Sequence, residues 1–117
     1  MFAVTRHRVE PGGVDVFVDA ARDALAVLAT CPGWVDGALG RCVDDPTLWA
    51  LTTRWRDVGS YRRALSAYDV RVRAVPLLST AIDEPSGYEV VVGAGADGTS
   101  SHAPGADTGG PGAGGRG

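Results

Sequence analysis

The sequence predicts an α+β domain whose elements run in the order βαββαβ, with an antiparallel sheet carrying helices on one face. Three observations predict it. Apolar and polar residues alternate with period two near the N-terminus and again between residues 34 and 55. Two other stretches repeat their apolar residues at steps of three and four, and clusters of Pro, Gly and Asp separate the segments.

Residues Phe2 to Val9 alternate as a half-buried strand does, and Glu10-Pro11-Gly12-Gly13 supplies the turn that stops it. From Val14 onward, Phe17, Val18, Ala21, Leu25 and Leu28 form one apolar stripe, with Asp15, Asp19, Arg22 and Asp23 between them. That predicts a helix of about four turns, with Asp15 and Asp19 placed against its positive N-terminal end. Cys31-Pro32-Gly33 ends it. A strand is expected over Trp34 to Val43, with Val35, Leu39 and Val43 on one side, then a turn at Asp44-Asp45-Pro46 and a third strand over Thr47 to Trp55. The period places Trp49, Leu51, Thr53 and Trp55 on one face of that strand. Asp57 is suited to cap a second helix with Val58, Tyr61, Ala64, Leu65 and Tyr68 along one stripe. A further short helical segment runs from Asp69 to Val75, where Pro76 closes it, and a fourth strand is expected within Leu77 to Val92, bent near Glu84-Pro85-Ser86-Gly87.

This order is the ferredoxin-like split βαβ arrangement, which covers only one face of its sheet with helices. About 92 residues form a marginal single core on surface-to-volume grounds. A second copy packed sheet to sheet across a two-fold axis is the simplest cover for the open face, so a homodimer is expected. The domain is therefore set at residues 1–92. Residues 93–117 hold ten glycines and two prolines and almost no large apolar side chain, and are expected to be a disordered tail.

A net charge of −3 excludes nucleic acid as the main partner, because phosphate binding needs clustered excess cations. All eleven basic residues are Arg, and the chain holds no Lys, Asn or Gln, so no mechanism can draw on a side-chain carboxamide. No segment approaches the roughly 20 apolar residues of a membrane span, and the charged N-terminal segment is unlike a secretory leader, so a soluble cytoplasmic protein is expected. Cys31 and Cys42 have neither a CxxC spacing nor a nearby His, which leaves both as small hydrophobes and predicts no metal site. Gly93-Ala94-Gly95 with Gly98 follows the last strand and precedes no helix, so it fails as a dinucleotide loop, and no flavin or nicotinamide site is expected.

Pro32-Gly33-Trp34 with Gly37 and Leu39, then Asp45-Pro46, then Trp55 with Tyr61 six residues on, resembles the central signature of the antibiotic biosynthesis monooxygenase family over roughly residues 2 to 92. The resemblance implies a dimeric α/β-barrel with a pocket in each subunit between the sheet and its helices. The anthrone oxygenases of that family carry a Trp and a Tyr at the positions of Trp55 and Tyr61, an Arg on the following helix, and an Asn where this chain has Leu51. Their reaction needs no cofactor. The haem-degrading members carry an Asn, a Trp and a His that this chain replaces by Thr5 or Arg6, by Ala64, and by Arg73 or its neighbours.

Oxygenation without a cofactor requires a substrate anion, apolar walls, a donor to the developing oxyanion and a proton acceptor. Trp55 and Tyr61 offer flat walls and N–H or O–H donors, although their spacing alone equally suits core packing. Arg71 and Arg73 are candidates to stabilise the oxyanion. His7, the one His of the domain, is the candidate for proton transfer near neutrality. Trp49, Leu51, Thr53, Leu65 and Tyr68 are the expected substrate-binding residues. The reading is a cofactor-independent monooxygenase that oxidises an aromatic or polyketide-like phenol or anthrone with dioxygen. Its alternative is a non-catalytic, dimeric small-molecule-binding module of the same fold, and haem degradation comes third.

Overall fold

A computed structural model describes residues 1–96 and 100–102 of the chain. Strand β1 spans Phe2–Arg8, and a short 3₁₀ turn at Pro11–Gly13 leads into helix α1, Val14–Leu28. Strands β2, Trp34–Arg41, and β3, Leu48–Trp55, form the hairpin. Helices α2, Val58–Ser66, α3, Tyr68–Arg73, and α4, Val75–Leu78, follow, and then the two-residue strand β4, Gly87–Tyr88. The sheet order is β2-β3-β1-β4 with every neighbouring pair antiparallel, as the ferredoxin-like arrangement demands.

The register explains the core. Ala3, Thr5 and His7 of β1 lie opposite Thr53, Leu51 and Trp49 of β3, and Gly37, Leu39 and Arg41 of β2 lie on the other side of those same three residues. These rows share the face that the helices cover. Phe17, Ala21, Ala24, Val27 and Leu28 of α1 are buried against it. The Asp57 carboxylate accepts the backbone N–H of Ser60 at 2.7 Å and so caps α2.

Two glycines of the hairpin exist for close approach. Gly33 sits at φ +88°, a conformation open mainly to glycine, and a Cβ there would collide with the side chain of Ser60. At Gly37 a Cβ would lie 2.6 Å from the Trp34 ring, 2.9 Å from the Thr52 carbonyl and 3.0 Å from Leu25. The missing side chain is the slot into which Trp34 and α1 pack.

Several expectations are corrected. A β-bulge between Trp34 and Asp36 reverses the alternation, so that Trp34 rather than Val35 shares the face of Leu39, and Val43 lies past the strand, exposed. Tyr68 does not extend the α2 stripe, because the chain leaves α2 at Ala67 and restarts as α3 with Tyr68 pointing to solvent, 78% exposed. Pro76 does not close a helix; it occupies the first turn of α4, where its missing N–H has no partner to lose. Leu77 is consequently helical, and the expected fourth strand shrinks to Gly87–Tyr88. Before it, residues 82–86 arch away from β1, with backbone ties where the Ile82 N–H meets the Arg6 carbonyl at 2.7 Å and the Val4 N–H meets the Ser86 carbonyl at 2.8 Å. Past the expected boundary at residue 92, strand β5, Val92–Ala94, pairs with β6, Ser100–His102. The remainder of the expected tail, residues 97–99 and 103–117, lies outside the described residues. No described helix is long and apolar enough to cross a membrane.

Candidate functional site

Two cavities adjoin β1. The inner one lies between the sheet and the helices, walled by Thr5, Leu51, Thr53, Tyr61, Leu65 and Leu78, and its volume is about 10 Å³. That is room for about one water molecule. The outer one is an open cleft of about 340 Å³ between β1 and the arch, walled by Val4, Thr5, Leu78, Ile82, Glu84 and Ser86. Only the cleft falls in the range of about 300–1,000 Å³ usual for small-molecule sites. Thr5 and Leu78 belong to both walls, so these two side chains are the partition between cleft and interior.

Four of the residues expected at the site come together on the inner cavity: Leu51, Thr53, Tyr61 and Leu65. Burial pushes the Tyr61 phenol above its ordinary value, with Ser86 acting in the opposite sense, so the hydroxyl stays protonated and available as a donor. Trp55 stands one layer behind. Its ring, 2% exposed, packs edge-on against Trp34 at 5.3 Å and beside Tyr61 at 5.8 Å. Its indole N–H is already given to the Thr53 hydroxyl at 2.9 Å, so Trp55 positions that hydroxyl and leaves the Thr53 proton free for the cavity.

Trp49 is buried away from both cavities, against Phe17 at 5.7 Å with the Arg41 guanidinium over its ring at 5.4 Å; its indole N–H has no partner. Two expected residues lie away from both cavities. Arg71 is exposed, and Arg73 is exposed and bound to Asp23 at 2.6 Å, so neither guanidinium reaches a cavity. Tyr68, at the surface, lines neither.

His7 is fully buried, and burial pushes its imidazole below the ordinary value of 6.5, with no neighbouring charge contributing. Its Nδ1 lies 3.1 Å from the Thr80 hydroxyl and its Nε2 lies 2.9 Å from the Thr5 hydroxyl. Thr5 is the residue that the sequence reading missed as part of a site. The available signal was its place two residues before His7, on the same face of a strand. On the outside, Arg6 grips Glu84 with two bonds of 2.7 Å and holds the arch to the strand. Among the described residues no cluster of three His, Cys, Asp or Glu is placed to hold a metal.

The model of the antibiotic biosynthesis monooxygenase family matches residues 1–71, from β1 into α3. The chain belongs to that family. As an antibiotic biosynthesis monooxygenase domain it also superposes on solved structures. SnoaB, a cofactor-independent oxygenase from Streptomyces nogalater, matches at TM-score 0.60 and 25% identity, over 71% of this chain and 84% of SnoaB. A conserved protein from Methanosarcina mazei matches at TM-score 0.61 and 20% identity, over 74% of this chain and 84% of its own. At that identity the likeness shows the fold alone. No curated protein matches the sequence. Family and neighbours together support a monooxygenase-like role.

Proposed function

We propose that this chain is a cofactor-independent monooxygenase that oxidises an aromatic or polyketide-like phenol or anthrone with dioxygen. The observation that carries the reading is the cleft of about 340 Å³ walled by Thr5 and Leu78, behind which the inner cavity holds the protonated Tyr61 hydroxyl and the Thr53 hydroxyl fixed by Trp55. An aromatic substrate in the cleft would reach these donors past Thr5 and Leu78, and they would stabilise its developing oxyanion. Loss of a proton from the substrate gives an electron-rich anion. One electron passes from it to dioxygen, and the resulting pair of radicals joins to a peroxide at carbon. Loss of water from that peroxide turns an anthrone CH₂ into C=O, so one O₂ is consumed and one H₂O released, and the substrate supplies every electron. His7 is the proposed proton acceptor of this scheme, and the exposed Arg71 and Arg73 are assigned no role in it.

The test is oxygen uptake by chelator-treated protein with model anthrones, against a Trp55→Phe control. Uptake that depends on Trp55 supports the reading; none above the control across several anthrones and phenols overturns it. Leu51 and the tightness of the inner cavity favour a second reading, a non-catalytic binding module of the same fold. It expects thermal stabilisation by aromatic ligands without product. We also propose a homodimer formed through the sheet face opposite the helices, which carries Phe2, Val4, Ala50 and Leu48 interspersed with Arg6, Arg8, Thr52 and Arg54, and where Phe2 stacks on Tyr88 at 5.4 Å. Light scattering reads it directly.

A further inference from the structure

We infer that the Thr5 hydroxyl is the group that takes the substrate's proton, handing its own to His7, and that the cleft between β1 and the 82–86 arch is where an acidic phenol or enol presents that proton. The inference rests on the oxygenase reading for its purpose, yet its chemistry is separable from oxygen consumption.

The hydrogen-bond directions fix how the chain of groups works. The Thr80 hydroxyl gives its one proton to the Leu77 carbonyl at 2.7 Å. It therefore meets His7 Nδ1 as an acceptor, and the ring proton sits on Nδ1. His7 Nε2 is left with a bare lone pair, and the Thr5 hydroxyl donates to it. The Thr5 oxygen keeps its own lone pairs, and Thr5, with Leu78, walls both the cleft and the inner cavity. What goes beyond satisfied burial here is that the hydroxyl facing the basic nitrogen belongs to a residue on the wall of a cleft. Core burial of a polar side chain asks only that its atoms be satisfied.

The step balances without any co-reactant. A substrate O–H bond breaks and its proton forms a new bond to Thr5 Oγ. The original Thr5 O–H bond breaks and its proton forms a bond to His7 Nε2. The electron pair stays on the substrate oxygen, nothing is oxidised, and the products are the oxyanion and a His7 imidazolium whose Nδ1–H remains held by Thr80. The groups packed on His7 from α1, β3 and the turn after α4 are Phe17, Trp49 and Thr80, none of them charged. The imidazolium is thus balanced only by the oxyanion beside Thr5. That requirement restricts the ligand to hydroxyls already acidic, such as a phenol conjugated to a carbonyl or the enol of an anthrone, and rejects alcohols.

The test uses 4-nitrophenol, whose anion absorbs visible light, with the full chain under anaerobic conditions. Wild type is expected to bind it as the anion at a pH where the free phenol is largely protonated. Thr5→Val, which keeps the shape and removes the hydroxyl, is expected to bind it un-ionised, and Thr5→Ser to restore the anion. In aerobic turnover of an anthrone, Thr5→Val is expected to lose about 10²-fold or more in kcat with little change in KM, as general-base variants do. Nitrogen-15 shifts of the wild-type His7 ring are expected to show a protonated Nδ1. Equal ionisation in wild type and Thr5→Val, no binding of the phenol, or a protonated Nε2 in the resting protein each overturns the relay. Phenol ionisation without oxygen uptake upholds the relay and removes the oxygenase; oxygen uptake that Thr5→Val leaves intact does the reverse.

Discussion

Gly37→Ala isolates the reason for a glycine in the middle of a strand. A strand glycine ordinarily costs stability, and replacing it by Ala should recover about 0.4–1 kcal/mol by restricting the unfolded chain. Here the new methyl would sit 2.6 Å from the Trp34 ring, 2.9 Å from the Thr52 carbonyl and 3.0 Å from Leu25. The carbonyl belongs to the β2–β3 ladder and cannot retreat without breaking it, while the indole is wedged against Trp55 at 5.3 Å. Overpacking of this kind costs typically about 1–3 kcal/mol. Steric cost exceeds entropic gain, for a net loss of about 1–2 kcal/mol and a fall in Tm of roughly 4–16 °C for a domain of this size. Gly40→Ala in the same strand is the matched control, because a Cβ there meets nothing within 4 Å and only the entropic gain remains. Thermal and urea denaturation of both variants reads the difference. A Gly37→Ala protein as stable as Gly40→Ala would refute the packing argument.

Three other outcomes are expected. Asp57→Ala removes the bond to the Ser60 N–H that caps α2 and should cost about 1 kcal/mol by urea denaturation, with Asp57→Asn retaining most of it. Stability should fall with acidification below the ordinary His value of 6.5: His7 is depressed in the folded state, the unfolded chain binds the extra proton, and the loss grows until pH reaches the folded-state value. A His7→Leu variant should show a flatter stability curve across that window, and an unchanged slope would contradict the assignment. Leu78→Ala removes half of the partition between cleft and interior and should raise the affinity for bulky aromatic ligands in thermal-shift titrations while lowering stability by about 2 kcal/mol, the low end for a Leu because Leu78 is only partly buried.

The sequence revealed the fold wherever one period ran uninterrupted. Phe17 to Leu28 and Trp49 to Trp55 each repeat cleanly, and both lie on the expected faces. The pattern misled where backbone chemistry overrode period. The bulge at Trp34 exchanged the faces of β2 after a single residue, and the break at Ala67 detached Tyr68 from a stripe that it fits by spacing. Pro76 reads equally as the end of one helix or the start of the next, and only the course of Val75 to Leu78 decides between them. The site was legible in part. Leu51, Thr53, Tyr61 and Leu65 share one cavity because strand period and helix period both point there. The exposure of Arg71 and the pairing of Arg73 with Asp23, fifty residues away, depend on tertiary docking of α3 against α1, which spacing cannot express. Thr5 was hidden for a different reason: a single hydroxyl becomes a relay only when a distant turn supplies Thr80 to orient the histidine between them.

Oxygen consumption by the chelator-treated protein, measured beside product formation with a model anthrone, tests the central claim most directly. One O₂ is expected to be consumed for each quinone formed, with the rate collapsing in Trp55→Phe and in Tyr61→Phe although both variants still bind the substrate. Binding without uptake in the wild-type protein, across several anthrones and acidic phenols, would contradict it and leave a binding module in its place.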